Sequence, residues 1–167
     1  MPIKTLRHQD GTILCLWVPS SLLQEGLDIL KTWGFNHKQV WIWIKIKKNI
    51  IKKFKINLNQ VNWDDFLSFG MGSLGRNVHE VVLVGTYGKI YKKLKNKSQR
   101  TVFFAENTKH SKKPEILQDK LEIMFPGQNY LEIFGRRLRK NWIVIGNESP
   151  TTIGEDIFDS LDNLIKI

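Results

Sequence analysis

Residues 101–148 read TVFFAENTKHSKKPEILQDKLEIMFPGQNYLEIFGRRLRKNWIVIGNE, and the order of the pieces in this stretch decides the fold class. A short apolar run, Val102 to Ala105, comes first. Pro114 then suits the first turn of a helix, where a missing backbone N–H costs nothing. Ile116, Leu117, Leu121 and Met124 fall at helical spacing and give that helix an inward side up to about Phe125. Pro126-Gly127 ends it. Two further apolar runs follow, Tyr130 to Phe134 and Trp142 to Ile145, joined by the basic connection GRRLRKN. Strand, helix, strand, strand is the pattern of half of a nucleotide-binding α/β domain.

The rest of the chain extends that pattern. Thr12 to Val18 (TILCLWV) is a continuous apolar run, as expected for a strand covered on both faces. Ser20 and Ser21 are candidate caps for a helix through Trp33, with Leu22, Leu23, Leu27, Leu30 and Trp33 near helical spacing. Gly34 is its expected stop. Gln39 to Ile46 is the next strand. Its alternation places Val40, Ile42, Ile44 and Ile46 on one face and Trp41, Trp43 and Lys45 on the other. The basic run KKNIIKKFK (47–55) opens a long connection of poor periodicity, in which residues 62–69 can form one short helix. GMGSLG (70–75) lacks the Lys-Ser/Thr ending of a phosphate loop and precedes a strand, so it is expected to be a turn or a substrate loop. Glu80 to Tyr87 is that strand. Residues 89–100 are expected to form a basic turn region, a solvated hairpin tip by default or a phosphate-contacting edge, and 155–167 a terminal helix with Ile157, Leu161, Leu164 and Ile165 on one side. Alternating strands and helices make a single α/β domain over 1–167, with ligands expected beyond the carboxyl ends of the strands.

Bulk properties narrow the function classes. At 167 residues the chain is large enough for one proper core. Its formal net charge is +10, from 26 Lys+Arg against 16 Asp+Glu, which favours polyanionic partners such as nucleic acid. The single cysteine, Cys15, excludes an internal disulfide and a cysteine-based metal site, and its apolar setting predicts an inert core thiol. No apolar stretch approaches a membrane span, and MPIKTLRHQDG lacks the apolar core of a signal peptide. A soluble intracellular protein is expected, in the cytoplasm or, in a eukaryote, the nucleus.

No catalytic constellation stands out. His8, His37, His79 and His110 show no metal spacing, and serine, histidine and acid do not occur in a nucleophile context. What stands out is a set of polar residues at strand ends: Lys113, Glu132, Arg136, Asn147 and Glu148. Glu132, among apolar neighbours and before a glycine, suits the paired hydroxyls of a ribose; it suits equally a salt bridge to Arg136 or Arg137.

At these residues the chain resembles the mRNA N6-adenosine methyltransferase family, the MT-A-seventy type, which includes bacterial and phage DNA-adenine relatives. Seven pieces match in family order over residues 1–148: DGTILCLWV, LDILKTWGF, VWIWIK, GRNVHEVVLVGTYGK, HSKKPEIL, FPGQNYLEIFGRR and NWIVIGNE. The resemblance implies a Rossmann-like methyltransferase fold, S-adenosyl-L-methionine as cofactor, and adenine in RNA or DNA as acceptor. On it, Lys113 corresponds to the lysine that holds the methionine carboxylate, a task that suits a point charge. Glu132 matches the acid on the cofactor ribose, Phe134 and Gly135 the wall beside the cofactor, and Arg136 an arginine near the ribose. Asn147 and Glu148 match the polar pair that closes the cofactor site. Trp43 and Lys45 match the substrate side, with Trp17 nearby, where an indole face suits an unstacked base.

Two departures accompany the match. The family's catalytic motif, Asp-Pro-Pro-Trp, belongs to a central strand and loop N-terminal to everything matched, and this chain contains no Asp-Pro or Asn-Pro dipeptide. Its prolines are Pro2, Pro19, Pro114, Pro126 and Pro150. The fold is therefore expected to be incomplete at its N-terminus, with no catalytic residue assigned. The resemblance then implies either an N6-adenine methyltransferase whose missing strand comes from another segment or subunit, or an inactive member serving as a nucleic-acid-binding or partner subunit. The second departure is GRRLRKN, which is basic or apolar where family members often carry further ribose contacts.

Overall fold

A computed structural model describes residues 3, 6–50, 62–72, 74–107 and 112–165. Residues 51–55 of the basic run, His110, and the side chains of Leu164 and Ile165 lie outside the described set. Among these residues, six strands form one sheet: β1 (Thr12–Val18), β2 (Asn36–Ile46), β3 (His79–Tyr87), β4 (Val102–Glu106), β5 (Asn129–Ile133) and β6 (Trp142–Ile145). The helices are α1 (Leu23–Thr32), α2 (Trp63–Phe66), α3 (Ile116–Met124) and α4 (Ile157–Ile165).

The strand order is β4-β2-β3-β1-β5-β6. β3 runs antiparallel to both of its neighbours, and every other pairing is parallel. The carboxyl ends of five strands therefore share one edge of the sheet, together with the start of β3. No gap separates neighbouring strands: β1 pairs directly with β5, from Thr12 opposite Asn129 to Leu16 opposite Ile133. Beyond β1 the chain turns towards β2 and beyond β5 towards β6, so the β1–β5 junction is the switch point of the sheet. In open α/β sheets that is where a crevice forms.

Strand parity distributes the core into two layers. Ile13, Cys15, Trp17, Val82, Val84, Tyr130 and Val144 face Leu117 and Leu121 of α3. Leu14, Leu16, Val18, Leu83, Leu131, Ile133 and Ile145 face Leu30 and Trp33 at α1 and Leu161 of α4. Burying each such leucine or isoleucine contributes about 1.5–3 kcal/mol before the entropy of ordering is counted. Trp41 and Trp43 are fully buried on the α3 side; on β2's other face Val40, Ile42 and Ile44 are exposed or half-buried, while Ile46 is buried with Ile50 and Phe66. Cys15 is buried, and that burial, with Glu132 nearby, holds its thiol well above the usual range, as an inert core thiol requires.

Local chemistry explains where the elements differ from the sequence reading. Ser20 and Ser21 do not cap α1. They form a single 3-10 turn, Ser20–Leu22, without a side-chain cap bond, and Leu22 precedes the helix. Gly34 does end α1: with φ +78° it lets its own N–H reach the Lys31 carbonyl and that of Phe35 reach Leu30, the paired closure of a helix C-terminus. Pro114 lies just ahead of α3, whose first residue is Ile116. The short helix is confined to Trp63–Phe66 and is capped by Asn62, which accepts from the Asp64 N–H at 3.1 Å. Within the basic turn region Ile90 is fully buried, so that region is anchored in the core. No helix among the described residues is long and apolar enough to cross a membrane.

Candidate functional site

Trp17 and Glu132 are the penultimate residues of β1 and β5, and both point into the α3 layer at the carboxyl edge of the sheet. Glu132 is 2 % exposed. Its Oε1 accepts from Trp17 Nε1 at 2.8 Å and its Oε2 from Gln118 Nε2 of α3 at 2.9 Å. Burial raises its carboxyl above the usual range, and the two hydrogen bonds offset only part of that. The salt bridge to Arg136 or Arg137 that the spacing also allowed is not formed. Arg136 pairs with Glu148, and Arg137 pairs with Glu115 and donates to the Lys113 carbonyl.

Beside this pair lies a second cluster. Lys113 Nζ sits 4.9 Å from the Trp17 ring centroid and pairs with Glu80 at the start of β3. Glu80 also accepts from Lys45 of β2 at 2.8 Å. Burial would raise the Glu80 carboxyl, but Lys113 and Lys45 together pull it below the usual range. Trp17 and Trp43 meet edge to face at 6.4 Å, and Lys45 Nζ lies 5.4 Å from the Trp43 ring. Trp43 is fully buried and Trp17 3 % exposed. The open indole face expected for an unstacked base is therefore not present: both rings are occupied by core packing and by lysines.

The cleft at the switch point is lined by Lys113, Glu115, Gln118, Glu132 and the loop residues Arg136–Arg139. Its volume is about 10 Å³, room for roughly one water, and two of its lining cations are paired, Arg136 with Glu148 and Lys113 with Glu80. Phe134 stands beside it, 47 % exposed, with φ +64°. Gly135 is buried against Val144 and Glu132, and a side chain at Gly146 would fall 2.1 Å from the Gly135 carbonyl, so the two loops after β5 and β6 touch through bare backbone. Asn147 and Glu148 are exposed in the turn after β6, and Glu148 reaches the cleft through Arg136.

Within GRRLRKN, Arg137 and Arg139 are engaged by acids at α3. Arg139 bonds Asp119 and Glu122 of α3, and Arg137 fastens Glu115, so the loop is clamped to the helix that carries Gln118. The sequence reading missed Glu80 and Gln118. Gln118 had a readable signal, since it lies three residues before Leu121 and seven before Phe125, on the inward stripe of α3.

The donor set suits a nucleoside-linked amino acid. Lys113 offers a cation for a carboxylate, and Glu132 keeps acceptor capacity beyond its two bonds. Gln118 Oε1 is a buried acceptor with no partner among the described residues. Those residues hold no cluster of three or more His, Cys, Asp or Glu placed to bind a metal ion.

The mixed sheet, its flanking helices and the crevice at its switch point define a Rossmann-like methyltransferase fold. The chain belongs to the MT-A70 family, whose model matches residues 1–148. It is similar to the Drosophila melanogaster N(6)-adenosine-methyltransferase MT-A70-like protein, 30% identical over 142 residues that make up 84% of this chain and 21% of the relative. It is 28% identical to the Homo sapiens N(6)-adenosine-methyltransferase catalytic subunit METTL3, over 84% of this chain and 22% of that protein. It is 26% identical to the Type II methyltransferase M.MunI of Mycoplasma sp, over 84% of this chain and 52% of that protein. The chain thus spans about a fifth of its animal relatives and about half of the Mycoplasma one.

Proposed function

We propose that the cleft at the carboxyl ends of β1 and β5 binds S-adenosylmethionine and that the chain serves N6-methylation of adenine in RNA or DNA. The observation that carries this reading is the convergence of Lys113, Glu132 and Arg136 on one cleft at the switch point of an MT-A70-family fold. Bound there, the donor supplies an electrophilic methyl group. Lys113, backed by the Trp17 ring, holds the donor's carboxylate as a point charge. Glu132, fixed by Trp17 and Gln118, accepts from the ribose. Phe134 and Gly135 form the wall, Arg136 lies near the ribose, and Asn147 and Glu148 close the site from the turn after β6. The +10 charge serves the polyanionic acceptor.

These 167 residues contain no Asp-Pro dipeptide, so the part of the reaction assigned to them is donor binding. Turnover needs, in addition, a group that accepts from the adenine amino group in the transition state, and we place that group outside these residues, on a further segment or a partner subunit. Calorimetry with S-adenosylhomocysteine, the stable demethylated form of the donor, tests the reading. Saturable one-to-one binding supports it. No heat at millimolar ligand counts against it.

A further inference from the structure

Gln118 is 5 % exposed, lines the cleft, and holds one half of its amide in a fixed task. Its Nε2 donates to Glu132 Oε2 at 2.9 Å. That bond sets the amide's orientation, because turning it over would set Oε1 against a carboxylate oxygen. Oε1 is left as a buried acceptor with no partner among the described residues. Buried acceptors are rarely left unsatisfied, so one in a cleft wall points to a donor that arrives from outside. Glu132, the neighbouring acceptor, retains lone pairs beyond its bonds to Trp17 and Gln118. Two neighbouring residues, joined by the Gln118 Nε2–Glu132 Oε2 hydrogen bond and each keeping acceptor capacity beyond it, match a ligand that presents two adjacent hydroxyl donors.

We propose that Gln118 is a binding residue for the methyl donor, its Oε1 accepting from one ribose hydroxyl while Glu132 accepts from the other, so that the cleft selects an intact ribose diol. This rests on the donor reading above and extends it to a residue on α3. Arg139, bonded to Asp119 and Glu122, and Arg137, bonded to Glu115, hold that helix to the loop after β5 and so keep the two acceptors in register. Leaving one acceptor in the cleft without its hydroxyl should cost affinity steeply, as it does in sites built to bond a substrate OH.

The test is calorimetry on the full chain with S-adenosylhomocysteine and with its 2′-deoxy and 3′-deoxy analogues, for the unaltered chain, Gln118→Met and Gln118→Asn. The unaltered chain should bind the intact ligand at least roughly tenfold more tightly than either deoxy analogue. In both variants one of these two ratios should fall to within about threefold while the other persists through Glu132. Thermal melting identifies the folded variant, and Gln118→Asn keeps an amide in the helix should Gln118→Met fail to fold. If both ratios survive unchanged in a folded variant, Oε1 holds only a water and the proposal is overturned. If the unaltered chain does not bind S-adenosylhomocysteine, the donor reading falls and this proposal with it.

Discussion

Trp17 Nε1 donates to Glu132 Oε1 at 2.8 Å across the β1–β5 junction, linking the two strands that flank the crevice through side chains as well as backbone. A buried carboxylate loses much when one donor is removed, because water cannot replace it. Trp17→Phe should therefore destabilise the chain by about 1–3 kcal/mol at neutral pH, read from urea unfolding. In a Glu132→Gln background the same change should cost clearly less, since the stranded charge is gone. Equal costs in the two backgrounds would show that the indole acts by packing alone.

Glu80 and Glu132 should give opposite pH signatures. The Glu80 carboxyl lies below its usual range in the folded chain, because Lys113 and Lys45 outweigh its burial. Its stabilising contribution is fully present above the unfolded carboxylate pKa of about 4.3 and is lost as pH falls towards the lowered folded value. The Glu132 carboxyl lies above its usual range because it is buried. The folded state then holds that proton longer, so stability falls as pH rises from about 4.3 through the raised folded value. Relative to Glu80→Gln, the unaltered chain should gain stability from acid to neutral pH. Relative to Glu132→Gln, it should lose stability over the same rise. Denaturant unfolding across pH measures both, and parallel slopes would contradict the assigned environments.

Phe134 has φ +64°, a conformation that costs a side-chain-bearing residue about 1–2 kcal/mol, and its ring is left 47 % exposed. On the proposed donor reading, this strain beside the cleft goes with a ligand-facing role for Phe134. Phe134→Gly should leave the melting temperature unchanged or raised while weakening binding of S-adenosylhomocysteine several-fold. A stability loss with unaltered binding would make Phe134 a packing residue.

Much of the fold was legible because the strands announce themselves. TILCLWV and WIVI are continuous apolar runs, and the structure places strands at Thr12–Val18 and Trp142–Ile145, as read. The alternation in β2 placed Trp41 and Trp43 together on one face, and both are buried there. What pattern could not show was which partner a polar residue would choose. Arg137 and Arg139 follow Gly135 in a basic connection whose partners the sequence does not name, and acids one helical turn apart at α3 capture them. Lys113 and Glu132 stood out in the sequence as polar residues at strand ends, but Glu80 joins Lys113 only because β3 returns antiparallel between β1 and β2. The burial of Trp17 and Trp43 follows from the same sheet order, which sets them edge to face under α3 and closes the faces that adenine was expected to use.

The central claim is that Lys113 holds the carboxylate of a methyl donor in the cleft it shares with Glu132. Calorimetric titration of the unaltered chain and of Lys113→Ala with S-adenosylhomocysteine tests it most directly. Removing a charged hydrogen-bond partner should weaken binding by about 1–3 kcal/mol, roughly five- to 150-fold, with the variant still folded by circular dichroism. Binding of equal affinity in both proteins would contradict the claim.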